Sequence, residues 1–569
     1  RYNATTALLK PDDRPFDFRS FWRFIVHDDQ QAVRQGTDFL ENEYIAPSQD
    51  RPLLKQLLVP TQMTHNERAH REKVCPVVLH VGPVQEANIP VVTKPSYAND
   101  VASFDKRCNK IPGVFDDQAK GRQGLLLSEL TADSEACPPI AWDDVLFEKW
   151  VVKFPETKQK VYRGIKDELY RELAVTNLSK VVSKDIFTKT EALLKRGDIN
   201  NMAPRIIYKN QDLYNVLTGP IFDEVTTRFK GLVNGNPNMK GENEFLYVSG
   251  YTNEDLSCFM QSYGVYDHVA MNDFSQFDST QSAEWVKTEC QYYQWLGAPI
   301  WFNVVLQATV STKIKASSGT KAWLQGQRKT GDVTTSVGNS IVNMESTYWA
   351  IKAAGVKESF NMLLGDDLLS LVRTPLDWAP AAGLAEAVYS SYGLKPKFKA
   401  TPIIEHTDFL SRAVMRVAEG FVLVPKIAKF LAKLGVRSNV NPNLSRESYL
   451  LAKLLSARFE FRQVPIMVSF IDRMLASLGE ADMVVVKEEL SYWTRLFIDT
   501  KFHGDMDAFF LDLADASSHQ ASEHEMQQFL AHRYDISLSE FEGLLSEYTG
   551  MAPARLDSAL FRHIDAIDN

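Results

Sequence analysis

Met362-Leu363-Leu364-Gly365-Asp366-Asp367-Leu368-Leu369-Ser370-Leu371-Val372 sets a Gly-Asp-Asp between two apolar runs. Runs of this length on either side of a glycine read as two β-strands joined by a tight turn, the glycine supplying a backbone conformation that other residues resist. Adjacent carboxylates would then stand at an exposed hairpin tip. Neighbouring carboxylates repel unless a cation lies between them, so the tip is a candidate site for a divalent ion. A solvated turn that happens to be acidic reads the same way, and the tripeptide alone leaves both readings open.

Upstream, Met271-Asn272-Asp273-Phe274-Ser275-Gln276-Phe277-Asp278 follows an apolar run through Tyr266, Val269 and Ala270. If Asp273 ends a strand, it can point at the same spot as Asp366, and the two would hold a pair of divalent cations by oxygen ligation. That is the requirement of phosphoryl or nucleotidyl transfer. The alternative for Asp273 is a helix N-cap, with Phe274 and Phe277 as core residues. Between the two acidic segments, Gly326 to Ser340 reads as a glycine-bearing loop that opens a helix. Its apolar positions are Val337, Ile341, Met344, Tyr348 and Ile351. Thr335, Asn339, Asn343 and Thr347 form a polar stripe at intervals of four. Small polar side chains aimed into a cleft suit a ribose hydroxyl, which both donates and accepts hydrogen bonds, although a solvent-facing helix carries the same pattern.

The chain's 569 residues, 44% hydrophobic and 24% charged, are enough for several subdomains of ordinary globular composition. Cys75, Cys108, Cys137, Cys258 and Cys290 are far apart and lack paired zinc-ligand spacing, so neither a disulfide framework nor a zinc site is expected. No stretch approaches the length of a membrane span, and an Arg1-Tyr2 start implies trimming from something longer. The net charge of −9 argues at first against a nucleic-acid partner, but residues 502–569 carry 13 Asp/Glu against 3 Lys/Arg. The remaining 501 residues are therefore nearly neutral, which leaves room for a local basic channel. Lys180, Lys184, Lys189, Lys195, Arg196, Arg205 and Lys209 cluster in sequence, and a solvated helix face is the default reading of such a run. Residues 112–145 read as a loop-rich connection and about 157–183 as a helical stretch. Strands and helices alternate from 186 to about 430, and the chain is almost wholly helical from 445 onward.

Taken in order, DFSQFD at Asp273–Asp278, RKTGDVTTSVGN at Arg328–Asn339 and LLGDDLLSL at Leu363–Leu371 resemble motifs A, B and C of the RNA-dependent RNA polymerases of positive-strand RNA viruses. The likeness is to the broad tombus-, noda- and alphavirus-like supergroup. Phe187–Glu191 and Ala203–Ile207 resemble motif F, Tyr392–Lys399 resembles motif D, and Phe409–Arg412 with Val424–Lys426 resembles motif E. Together these motifs cover about 187–430.

The resemblance implies an α+β right-hand fold with fingers, a palm bearing an antiparallel sheet, and a helical thumb. The expected divisions are an N-terminal extension and fingertips at 1–185, fingers with motif F at 186–265, the palm at 266–430, and a helical thumb with an acidic tail at 431–569. It implies RNA-directed RNA polymerisation with two Mg²⁺ or Mn²⁺ ions on Asp273, Asp366 and Asp367. Lys399 is favoured over Lys395 and Lys397 as the proton donor to pyrophosphate. Lys189, Arg205, Thr330 and Gly331 would bind the nucleotide, Gly331 by permitting close backbone approach, while Asp278, Thr335 and Asn339 would check the ribose 2′-hydroxyl. The implied partners are the RNA template and nascent strand, ribonucleoside triphosphates and other viral replication proteins. The implied location is the host cytoplasm, at membrane-associated replication complexes. A reverse transcriptase shares the acidic pair but usually has an aromatic-x-Asp-Asp where this chain has Gly365-Asp366-Asp367, and a bulky aromatic where Asp278 stands. An inactive RNA-binding derivative would not need all three carboxylates.

Overall fold

The apolar runs flanking Gly365 are β-strands at the middle of a five-stranded sheet. In chain order its strands are β1 (Asn243–Tyr247), β2 (His268–Asn272), β3 (Ser359–Leu364), β4 (Asp367–Val372) and β5 (Phe398–Thr401). Four helices bear on the site: α1 (Tyr97–Arg107), α2 (Ala283–Trp295), α3 (Thr335–Ala353) and α4 (Trp378–Ser391). The computed structural model describes residues 57–63, 79–88, 91–92, 97–189, 192–193, 205–316, 319–418, 420–437, 445–478, 487–515 and 521–569.

The sheet runs β5-β2-β4-β3-β1, antiparallel throughout except for the β3–β1 pair, which is parallel. The strands that lead to Asp273 and to the Gly365 turn are antiparallel as expected, and β1 makes the sheet a mixed one by pairing parallel to β3. Leu368 to Val372 are all buried, as a strand covered on both faces requires. Over one face, Val342, Ile351, Ala385 and Tyr389 of α3 and α4 pack with Ala270 and Val372. Over the other, Leu256 and Met260, together with Phe409, Val414 and Leu423, pack on Val269, Leu369 and Leu371.

A second five-stranded sheet orders Thr61–Met63, Thr320–Gln325, Ser311–Ala316, Lys184–Thr188 and Ile206–Asn210, and Val101 and Phe104 of α1 share its core. The segment before α1 reaches several parts of the molecule. Leu79–His80 pairs with Val436–Arg437, Val84–Gln85 with Arg555–Leu556, and Val91–Val92 with Ala192–Leu193.

Two expectations need adjustment. Within 112–145, Asp117–Arg122 and Leu125–Leu130 are short helices, separated at Gly124, whose φ of +78° is left-handed. The stretch 157–183 is three helices, Glu156–Asp167, Leu169–Val175 and Leu178–Val181, the last started by Asn177, whose side chain accepts from the Lys180 N–H.

Most of the C-terminal helices share a core with Val81 and Ala413 that extends to Ile564, while Tyr492–Lys501 and Met506–Asp515 pack in a second core against Ala452 and Phe459. Asp568, near the chain's end, is buried and accepts hydrogen bonds from the Ala428 N–H at 2.8 Å, Arg533 Nη2 at 2.9 Å and Tyr534 Oη at 3.0 Å. The acidic segment is thus built into the helical region rather than appended to it. Among the described residues no helix is long and apolar enough to cross a membrane, and Cys108, Cys137, Cys258 and Cys290 are unbridged.

Candidate active site

Leu364 pairs with Asp367, leaving Gly365-Asp366 as a two-residue hairpin loop. Gly365 has φ +62°, the left-handed conformation that a glycine at the first loop position supplies without strain. Helix α3 grips this loop. The Gly365 N–H donates to Ser340 Oγ at 2.8 Å, and Asn343 Nδ2 donates to the carbonyls of Gly365 at 3.1 Å and Asp367 at 3.3 Å.

Sheet register supplies the third carboxylate. Asn272, the last residue of β2, lies opposite Leu368 on one side and Phe398 on the other. Asp273 follows directly, its N–H 3.5 Å from the Lys397 carbonyl and its carboxylate close enough to Asp367 to repel it. Lys397 Nζ is 2.7 Å from Asp273 Oδ2, and the Lys397 N–H donates to Asn272 Oδ1 at 2.9 Å. Lys399 lies opposite Met271, two residues back along the sheet, so the ammonium at the carboxylates belongs to Lys397. Asp273 is a strand-end residue and not the N-cap of a helix.

The carboxylates crowd one another. Desolvation, then repulsion from Asp278 and Asp273, raises Asp366 above the usual range. Desolvation, then repulsion from Asp366 and Asp273, pushes Asp367 up to about 7. Among the described residues no three acidic, histidine or cysteine side chains are gathered to hold a metal ion, and Lys397 supplies the positive charge at Asp273. The donor chemistry nonetheless fits a hard divalent cation, because the set offers only oxygens and positive charge would relieve its repulsion. The Asp273 side chain is 78% exposed.

Behind the hairpin is a cleft of about 390 Å³ lined by Asp278 and Asp366, by Arg205 and Thr330, and by Lys106, Arg107 and Arg328. Asp278 sits in a 3-10 turn entered through Gln276 at φ +55°. Burial raises its carboxyl, opposed by the Asn339 amide, whose Nδ2 donates to Asp278 Oδ1 at 2.9 Å, and by Arg328. The polar stripe on α3 faces protein, and of its four members only Asn339 reaches Asp278.

Other expected site residues fall elsewhere. Thr335 Oγ1 donates to the carbonyls of Asp332 at 2.9 Å and Lys329 at 3.1 Å, so its hydroxyl closes the loop before α3. At Gly331 a Cβ would run into the Tyr208 carbonyl, so the close approach this glycine permits is to a neighbouring strand. Lys184, from the basic cluster, is buried against Asp332 and Asn210 and cannot meet a phosphate. The Lys189 N–H donates to the Arg205 carbonyl at 2.8 Å, but only Arg205 of the two lines the cleft. Lys195 and Arg196 lie outside the described residues, as do Thr190, Glu191, Ala203 and Pro204 of the motif F segments.

Lys106 and Arg107 escaped sequence reasoning. They end α1, some 220 residues before motif B. Their placement depends on tertiary contacts: Cys108 Sγ lies 3.0 Å from Tyr208 Oη, and Gln327 Nε2 donates to the Cys108 carbonyl at 2.8 Å and the Lys110 carbonyl at 2.7 Å.

No curated protein sequence matches the chain at a significant level. The profile of one family, described as RNA dependent RNA polymerase, matches residues 128–457, more than half of the chain. The matched span includes β1 to β5, the Gly365 hairpin and the loop that opens α3. The chain therefore belongs to the RNA-dependent RNA polymerases of positive-strand RNA viruses, a family of nucleotidyltransferases.

Proposed function

We propose that the chain copies viral RNA by two-metal transfer of nucleotidyl groups from ribonucleoside triphosphates to a 3′-hydroxyl, within a right-hand fold. In this reading the sheet β1–β5 is the palm, the sheet containing Lys184–Thr188 belongs to the fingers, and the helices after Ile427 form the thumb. The observation that carries it is that the strand ending at Asn272 pairs with the strand leaving the Gly365 hairpin, bringing Asp273 within repulsion of Asp366 and Asp367, while Asp366 lines a cleft with Asp278 and Arg205. Asp273, Asp366 and Asp367 would hold Mg²⁺ or Mn²⁺, which when bound would neutralise the phosphates and lower the pKa of the 3′-hydroxyl.

The chain's own groups account for the remaining steps. Arg205 faces the cleft with a guanidinium suited to phosphate oxygens. Asp278, held by Asn339, accepts a hydrogen bond from the ribose 2′-hydroxyl. A deoxyribonucleotide leaves that acceptor unpaired and is disfavoured. The sequence favours Lys399 as proton donor to pyrophosphate, but the lysine at the carboxylates is Lys397, and the role is assigned there. In this reading the enzyme works in the host cytoplasm, at membrane-associated replication complexes with other viral replication proteins.

Incorporation of labelled ribonucleotides on a defined RNA template, with and without primer and with Mg²⁺ or Mn²⁺, tests the proposal. Template-dependent products that vanish on chelation are expected. Products independent of template sequence, or unaffected by a chelator, would overturn it.

A further inference from the structure

Arg328 and Glu289 form an ion pair inside the protein, with side chains 5% and 2% exposed. Arg328 Nη1 donates to Glu289 Oε2 at 3.1 Å and Nη2 donates to Oε1. Tyr293 Oη donates to Glu289 Oε2 at 3.0 Å. The remaining guanidinium nitrogen, Nε, donates to Asn339 Oδ1 at 3.0 Å, and Asn339 Nδ2 donates to Asp278 Oδ1 at 2.9 Å. The Arg328 backbone N–H also donates to the Asp278 carbonyl at 2.7 Å. Arg328 therefore holds both partners of the Asn339–Asp278 contact.

The donor and acceptor sense of this chain has one solution. A guanidinium only donates and a carboxylate only accepts, whereas an amide presents one end of each kind and can be turned over at little steric cost. With Arg328 on one side and Asp278 on the other, Asn339 must give its oxygen to the first and its NH₂ to the second. That occupies Asp278 Oδ1 and leaves Oδ2 for a donor in the cleft. Without the guanidinium the amide oxygen loses its donor, and Asp278 alone is left to hold the amide in place.

We infer that Glu289 and Arg328 are positioning residues for sugar selection: Glu289 clamps Arg328, Arg328 sets the sense of the Asn339 amide, and the amide leaves one Asp278 oxygen to accept from a 2′-hydroxyl. The inference rests on the nucleotide-addition reading above. Gly338 belongs to the same device. A Cβ there would collide with Glu289 Oε2 and stand 2.7 Å from Arg328 Nη2 and 2.9 Å from Nη1. The pair lies against α3 only because position 338 has no side chain, which provides a perturbation that removes no charge.

A buried pair serving only as a strut would affect stability but not the choice between sugars. The test measures kcat/KM for CTP and dCTP opposite a template G, along with RNA affinity and melting temperature. Arg328→Lys keeps the charge but loses the fork. It should lower the CTP-to-dCTP ratio by about ten-fold, the effect of one oriented hydrogen bond, mostly through CTP and with RNA affinity unchanged. Gly338→Ala and Glu289→Gln should shift the ratio in the same direction, and Gly338→Ala carries the test if Arg328→Lys does not fold. Combined with Asn339→Ala, Arg328→Lys should add no further loss, because both act through one amide. A lowered melting temperature with the ratio unchanged, or losses that add in the double variant, would overturn the inference. If Asn339→Ala shifts the ratio and Arg328→Lys and Gly338→Ala do not, this inference alone fails. If Asn339→Ala leaves the ratio unchanged, the ribose reading of the site fails with it.

Discussion

Two charged regions, each contributing one residue to the same cleft, Asp366 and Arg328, are built in opposite ways. At the Gly365 hairpin, Asp273, Asp366 and Asp367 crowd together with Lys397 as the paired cation. In the interior, Lys184 with Asp332 and Arg328 with Glu289 are buried, each charge matched and hydrogen-bonded. Burial works against both cations. It lowers Lys184, whereas Glu289 keeps Arg328 above its ordinary value. The difference separates charges that hold the protein together from charges left for something else. A closed pair has spent its electrostatic demand inside the fold, whereas a crowded acidic rim still needs positive charge from a ligand.

The strongest way to break the contrast is at the rim. Asp366→Ala should reduce ribonucleotide incorporation by about four orders of magnitude while RNA affinity stays near wild type. Retained activity in a filter-binding and extension pair would remove the metal role. In the interior the cost should fall on stability. Lys184→Ala leaves Asp332 buried without its cation and should destabilise by about 3–5 kcal/mol. The exposed Lys180, from the same stretch of sequence, should cost less than about 0.5 kcal/mol when changed to alanine. Equal denaturation midpoints for the two variants would erase the distinction.

Glu345 sharpens the comparison as an interior acid hydrogen-bonded by Tyr292 Oη at 2.6 Å. Burial pushes its carboxyl up to about 7. The folded state therefore binds its proton more tightly than the unfolded chain does, so the associated stability is present below about pH 4.5 and is lost as pH rises to 7. Glu345→Gln should consequently stabilise the protein at pH 8 by roughly 2–3 kcal/mol, an advantage that shrinks toward pH 5. Denaturant titrations at several pH values would show it, and a pH-independent difference would refute it. The smallest effect on activity is that of Arg205→Ala, which should raise the apparent KM for nucleotides several-fold, about 1 kcal/mol, with little change in RNA affinity. If RNA affinity moved instead, Arg205 would belong to the template path.

Legibility differed by residue. The hairpin, the strand ending at Asp273 and the helix after Thr334 follow from apolar runs and one glycine, which are local signals. The Asn339–Asp278 contact was legible as a pairing of two motifs. Gly331 and Thr335 carry the right residue types at the right spacing, yet spend them on Tyr208 and on the Asp332 carbonyl, because a motif does not state which neighbour fills the space beside it. Lys184 shows the same limit: alternation along Lys184–Thr188 puts it on the buried face, but a lysine-rich sequence reads as solvated.

From the order of residues alone came the two strands, the acidic turn, the helix beyond the loop and the family they point to, since each depends on local backbone preference and periodicity. Folding decided which charges are available. Glu289 reaches Arg328 across 39 positions and Lys184 reaches Asp332 across 148. Whether a charged group is neutralised inside or left at the rim depends on such distant partners, and on the burial that makes an unmatched charge costly.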